Sequence, residues 1–154
     1  MKKNSIFLFF RLAVGALFIL SGFQKLIAPY QNFLYVIESY QILPSPLIEE
    51  FLARSMPWVE FFIGVFIILG LWLGLSLRLA AVMFFMFIII LAQALIRKLP
   101  VTECGCFGEK LSLPLPAMIV LDSFSFIVTI ILAKNLNLTG YFSLDHYFAQ
   151  SEKV

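Results

Sequence analysis

Four long apolar stretches, at about Ser5–Ile27, Pro57–Trp72, Leu77–Ile96 and Leu115–Ala133, leave this chain few folds to choose from. A helix needs roughly 20 predominantly apolar residues to cross the hydrocarbon core of a bilayer. Inside lipid every backbone polar group must be satisfied within the protein, which restricts spanning segments to helices and closed barrels. Stretches this long and this continuous read as helices; Pro57–Trp72 is the short one and leans on its flanks. Of the 154 residues, 62% are hydrophobic and only 13% charged, so the spans consume most of the chain and no separate soluble domain fits. The expected fold is all-α: an integral membrane four-helix bundle over residues 5–133, followed by a polar C-terminal tail over 134–154. Lys2 and Lys3 precede the first apolar run as they would in a signal peptide, but the run is long and Gly22-Phe-Gln-Lys25 is a poor cleavage site. Helix 1 is therefore expected to be retained. A net charge of +2 gives no indication of nucleic-acid binding.

The segment between the first two spans has its own pattern. After Pro29, Phe33, Val36, Ile37 and Tyr40 recur at helical spacing, with Glu38, Ser39 and Gln41 opposite. After Pro44-Ser-Pro46, Leu47, Phe51 and Leu52 are set against Glu49 and Glu50. Both pieces predict short amphipathic helices in the membrane interface, capping one end of the bundle. Helix 2 is then expected to open at Pro57-Trp58, with proline in its first turn and tryptophan at headgroup depth. Leu73-Gly-Leu-Ser76 is expected to turn it into helix 3, and helix 3 stops at Arg97-Lys-Leu-Pro100.

With four spans, the interfacial segment shares one membrane side with the loop after helix 3, and both ends of the chain share the other. Lys2, Lys3, Arg78, Lys134 and Lys153 lie on the terminal side; Lys25, Arg54, Arg97, Lys98 and Lys110 lie on the loop side. That even division leaves orientation undetermined by charge.

Ionisable groups within a span are costly and face the bundle interior. Arg11, Gly15, Phe18, Gly22 and Lys25 align on helix 1, Glu60 lies one turn from Gly64, Gln93 one turn from Arg97, and Asp122, Ser125 and Thr129 share a face of helix 4. Lys25, Glu60 and Gln93 lie towards the loop end, Asp122 about two turns deeper, and Arg11 at the opposite end, close to the level of Arg78. These groups either form buried pairs that fix helix register or line a pocket that tunes proton transfer; the two roles are compatible. Gly15, Gly22 and Gly64 would let helices approach closely.

The only two cysteines, Cys104 and Cys106, flank Gly105 in Glu103-Cys-Gly-Cys-Phe-Gly108. Thiols at i and i+2 in a bent loop can come within disulfide reach, and Gly105 supplies the backbone freedom such a bend needs. So small a ring implies strain, and strained exposed disulfides are the oxidising, labile ones. A purely structural bridge would staple almost nothing, because the entropic gain grows with loop length. Arg97, Lys98 and Lys110 favour a thiolate while Glu103 and Glu109 oppose it. Two thiolates with one distant histidine, His146, do not complete a zinc site, and no haem or zinc is expected. Redox exchange, metal binding shared across a dimer and an inert tight turn all remain open on the residues alone.

The order Arg11, Ser21-Gly-Phe-Gln-Lys-Leu26, Pro29, Glu38-Ser-Tyr-Gln-Ile-Leu-Pro44, Pro57-Trp-Val-Glu60, Gly64, Cys104-Gly-Cys-Phe-Gly108 and Asp122 resembles the MauE/DoxX-like membrane proteins, and the MauE (methylamine utilisation) branch most closely. The resemblance covers about residues 5–133. It departs from the family pattern where Leu121, not arginine, precedes Asp122. It implies a multi-pass protein of the cytoplasmic (inner) membrane, with the cysteine loop on the periplasmic side and the termini in the cytoplasm. MauE is linked to maturation of the disulfide-rich small subunit of methylamine dehydrogenase, and DoxX relatives to a thiosulfate:quinone oxidoreductase.

Two functions fit. In the first, Cys104 and Cys106 act as a thiol–disulfide oxidoreductase towards an extracytoplasmic thioredoxin-like or disulfide-containing partner, supported by Lys25, Glu60, Gln93, Asp122, Gly105, Phe107 and Gly108. If a membrane quinone is the electron sink, it belongs among the aromatics near the loop. In the second, the chain is a non-catalytic assembly factor, or a subunit of a quinone-linked complex, whose interfacial cap docks a partner. A small transporter is disfavoured, because inverted repeats and broken spans are missing from the sequence pattern.

Overall fold

A computed structural model of the chain describes residues 2–42, 44–98, 114–140 and 143–144. Among the described residues six helices follow one another: α1 (Lys2–Ile27), α2 (Tyr30–Ser39), α3 (Pro46–Leu69), α4 (Leu73–Ile96), α5 (Leu115–Lys134) and α6 (Leu136–Thr139). Four of them, α1, α3, α4 and α5, are long and apolar enough to cross a membrane. Their outward faces carry Phe9, Leu20, Phe62, Phe85 and Ile127, all exposed, which in water would be a severe liability and in lipid is the expected surface. The chain is an all-α, multi-pass membrane bundle.

Packing is strongest within two pairs, α1 on α3 and α4 on α5. The first pair is close because glycine removes side chains from the contact. A Cβ on Gly22 would lie 2.7 Å from Pro57 O and from Phe61 N, and one on Gly64 would lie 2.7 Å from Gly15 O and from Ile19 N. The pairs meet around Phe18 and Phe84, edge to face with centroids 4.9 Å apart, in a core that includes Val14, Ile63, Ile67, Leu77, Ala80 and Leu132. A second cluster, of Tyr40, Leu91, Ala94, Leu115 and Met118, ties the end of α2 to the C-terminal end of α4 and the start of α5.

Two boundaries differ from the sequence reading. The interfacial helix Tyr30–Ser39 stands alone, but the second amphipathic piece is fused to the second span: α3 runs unbroken from Pro46 to Leu69 with Pro57 inside it. Proline forfeits one intrahelical hydrogen bond there, yet Pro57 is buried, with its carbonyl oxygen at the Gly22 contact. The hairpin between the second and third spans is at Gly70–Trp72, not Leu73–Ser76. Gly70 holds the left-handed conformation (φ 69°) that ends α3, and α4 begins at Leu73. Glycine is the residue that adopts this conformation without strain, whereas Gly74 is helical.

At the end opposite α2, Arg11 is 2% exposed and donates to Thr139 O at 2.9 Å and Ile68 O at 3.2 Å. It thus neutralises carbonyls at the C-terminal ends of α3 and α6, where helix dipoles concentrate negative charge. Arg78, expected near it in depth, is exposed. The C-terminal segment reads as featureless in sequence, but α6 packs on α1, with Thr139 fully buried and its hydroxyl donating to Leu132 O and Asn135 O.

Candidate functional site

The helical stripe on α1 becomes a buried seam: Arg11, Gly15, Phe18, Gly22 and Lys25 are all buried, each about one turn from the next. Near its C-terminal end Lys25 reaches across to α3. Its Nζ donates to Glu60 Oε1 at 2.7 Å, to Glu60 Oε2 at 2.8 Å and to Ser21 Oγ at 3.2 Å, while Ser21 Oγ donates to Glu60 Oε2 at 2.8 Å. Lys25 is 4% exposed and Glu60 0%. An ammonium has three protons to give, and these three acceptors match them. The rings of Phe33 and Phe87 complete the shell, with Nζ 4.8 and 5.6 Å from their centroids, close enough for a cation–π attraction.

Asp122 enters from α5, buried on the same face as Ser125 and Thr129. It lines one small cavity together with Ser21, Glu60 and Ser125. The structure thus brings Lys25, Glu60 and Asp122 within electrostatic reach of one another. Ser21 and Tyr40 belong to the cluster as well; both stand in the sequence patterns above, but neither is among the site residues expected from them. A serine one turn before a lysine on a buried stripe was the available signal for the first; for the second it was the last apolar position of the interfacial helix. Tyr40 is buried, and burial pushes its phenol up to about 12, with the negative field of Asp122 adding to the effect.

A larger cavity, of about 300 Å³, lies where α2 stands over α4, lined by Lys25, Phe33, Tyr40, Met56, Phe87 and Gln93 among others. Gln93 therefore lies at the same end as Lys25, on the wall of the apolar cavity. Among the described residues, no three histidine, cysteine or acidic side chains gather where they could hold a metal ion. Cys104, Gly105, Cys106, Phe107 and Gly108 lie outside the described residues; the chain between α4 and α5 carries them. Those two helix ends meet in the cluster of Leu91, Ala94, Leu115 and Met118, beside Tyr40.

What this arrangement can do chemically follows from its composition. Lys25 and Glu60 neutralise each other in a dry environment, where a lone charge would be very costly. Asp122 adds a third ionisable group within electrostatic reach of both. Such a cluster fixes the register of α1 against α3 and can also hold or pass a proton.

The family described as "Methylamine utilisation protein MauE" matches residues 3–135, a range that takes in all four spans and the cysteine segment. No curated protein and no solved structure matches.

Proposed function

Because this chain belongs to the MauE family of methylamine utilisation proteins, we propose that it is a membrane-embedded thiol–disulfide redox protein supporting the oxidation or maturation of an extracytoplasmic partner. The observation that carries this reading is the conjunction of the chain's only two thiols, Cys104 and Cys106, with a buried ionisable cluster. That cluster lies at the end of the bundle where α4 stops and α5 begins. In the exchange, the thiolate of one cysteine attacks a sulfur of the partner's disulfide, a mixed disulfide forms, and the second cysteine resolves it. Run in reverse, the same steps hand a disulfide to a dithiol partner. Lys25, Glu60, Gln93 and Asp122 act as positioning residues. The chain resides in the cytoplasmic membrane with its cysteine segment extracytoplasmic and its termini cytoplasmic.

The test is to express Cys104→Ala and Cys106→Ala in the native host, quench with acid, alkylate, and separate the proteins without reductant. A reductant-sensitive adduct with one variant identifies both the partner and the attacking cysteine. Full function and no adduct in either variant would remove the exchange reading.

A second reading is favoured by a groove between α3 and α4, of about 430 Å³, lined by Trp58, Phe62, Phe66 and Trp72. In that reading the aromatic face seats a helix of a partner complex and the chain is an assembly subunit. Cysteine substitutions would then be tolerated, while changes at Phe62 or Phe66 would release the partner.

A further inference from the structure

Between the α1–α3 pair and the α4–α5 pair lies a cavity of about 20 Å³, with Ser21, Glu60, Asp122 and Ser125 on its wall. That is room for one water, which needs roughly 10–15 Å³ measured this way, and far too little for an organic ligand. Asp122 Oδ2, inaccessible to solvent, has no hydrogen-bond partner among the described residues. An unsatisfied buried acceptor is expensive, and buried waters occur where about three polar groups converge. One observation concerns shape and the other hydrogen bonding, and Asp122 belongs to both.

We infer that this cavity binds a single water, which donates to Asp122 Oδ2, links it to Glu60 and the flanking serine hydroxyls, and passes protons between Asp122 and the Lys25–Glu60 pair. The contacts already made around Glu60 explain why the link needs water. Lys25 already spends its contacts on Glu60 and Ser21, and Ser21 Oγ is directed to Glu60 Oε2. The ionisable groups facing the water are therefore Glu60 and Asp122, with Lys25 behind Glu60 and Tyr40 within electrostatic reach of Asp122. In each transfer one O–H bond breaks at the donor as one forms at the acceptor. The charge moves by one unit and no electrons move. Asp122 is a positioning residue here, and its use in thiol exchange rests on the reading above: each thiol that becomes a thiolate releases one proton.

The full chain, crystallised from a lipidic mesophase, should show density within about 2.5–3.0 Å of Asp122 Oδ2 and of at least one of Glu60, Ser21 and Ser125. A dry cavity, or Asp122 turned directly onto Lys25 or Tyr40, would overturn the site. The proton role is read by infrared spectroscopy of the full chain in detergent. The carboxyl C=O band that Asp122→Asn removes should shift on transfer to D2O. The shift should be about tenfold slower in Ser125→Val, whose extra bulk fills the cavity, as expected from losing one hydrogen-bonded link of ~1.4 kcal/mol. Circular dichroism of Ser125→Val shows that it is folded; should it fail to fold, Ser125→Ala, which keeps the space and removes one hydroxyl, gives the same comparison with a smaller slowing. Equal exchange rates, or no band assignable to Asp122, would overturn the relay. None of these readouts involves the cysteines, so a failed disulfide trap and a failed water site are separate results.

Discussion

Lys25 and Glu60, 35 residues apart in the chain, meet at 2.7 Å with both side chains sealed from solvent. Two effects of different size bear on this pair. Polar contacts between membrane helices are worth on average only about 0.6 kcal/mol, but breaking a buried pair leaves an uncompensated charge and costs about 3–5 kcal/mol. The second governs here, because Glu60 is fully buried, sealed from bulk solvent. Glu60→Gln and Lys25→Met are each expected to destabilise the bundle by ~3–5 kcal/mol, measured by unfolding in mixed detergent micelles. Lys25→Met combined with Glu60→Leu should cost less than either alone. A double variant as unstable as the sum of the two would show that the pair is not isolated in this way.

The α1–α3 contact should be sensitive to a single methyl group. At Gly22 and Gly64 a Cβ would strike backbone atoms at 2.7 Å, and backbone cannot move aside without shifting a helix. Gly22→Ala and Gly64→Ala are expected to cost about 1–3 kcal/mol each. Gly74→Ala meets only the flexible end of Leu136, at 3.3 Å, and gains the ~0.5–1 kcal/mol that alanine contributes over glycine in a helix. The same unfolding measurement should rank Gly74→Ala at or above wild type, and the other two well below.

Arg11 holds two helix ends at once, through Thr139 O and Ile68 O. Arg11→Met removes charged hydrogen bonds worth about 1.5–3 kcal/mol each. The consequence should be local: α6 leaves α1, and limited proteolysis cuts after Lys134 at protease levels that leave the wild type intact. Arg11→Lys should fall between the two, since one ammonium cannot reproduce the fork of a guanidinium. Unchanged cleavage in Arg11→Met would mean that α6 is held by its apolar contacts alone.

Tyr40 should give a pH signature. The folded protein keeps its phenolic proton up to about 12, against 10.0 for an ordinary tyrosine. Between those values the native state binds more protons than the unfolded one. The stability contributed by this group is complete below pH 10 and is lost as pH rises towards 12. Stability of the wild type relative to Tyr40→Phe, followed by alkaline unfolding, should therefore fall across that interval and be flat below it. A difference that is constant through the alkaline range would remove Tyr40 from the buried cluster.

Much of this arrangement was legible in the residues. The four spans, the interfacial helix from Tyr30 and the polar faces on α1 and α5 follow from hydropathy and a 3.6-residue period, because burial in a helical bundle is dictated by which face a residue occupies. The role of Pro57 was not legible. Proline is common in the first helical turn and costly in the interior, so local rules place a boundary where the tertiary contact with Gly22 maintains a continuous helix. Gly70 and Gly74 are equivalent to a local reading of the hairpin, and only the packing of Leu73 and Leu77 into the core decides between them. The pairing of Lys25 with Glu60, and not with Asp122, is a matter of side-chain reach across a helix interface, on which one-dimensional spacing is silent.

The anchoring of Arg11 also imposes an order on the protein's birth. Its first span emerges from the ribosome carrying a guanidinium, whereas the carbonyls that receive it belong to residues 57 and 128 positions further along. Until Ile68 and then Thr139 have been made, those two contacts are missing, and the insertion machinery, lipid headgroups or a temporary neighbour has to take their place. Docking of α6 then completes the pair of contacts, and a chain cut before Thr139 would offer the membrane's quality-control proteases a cation lacking one of them.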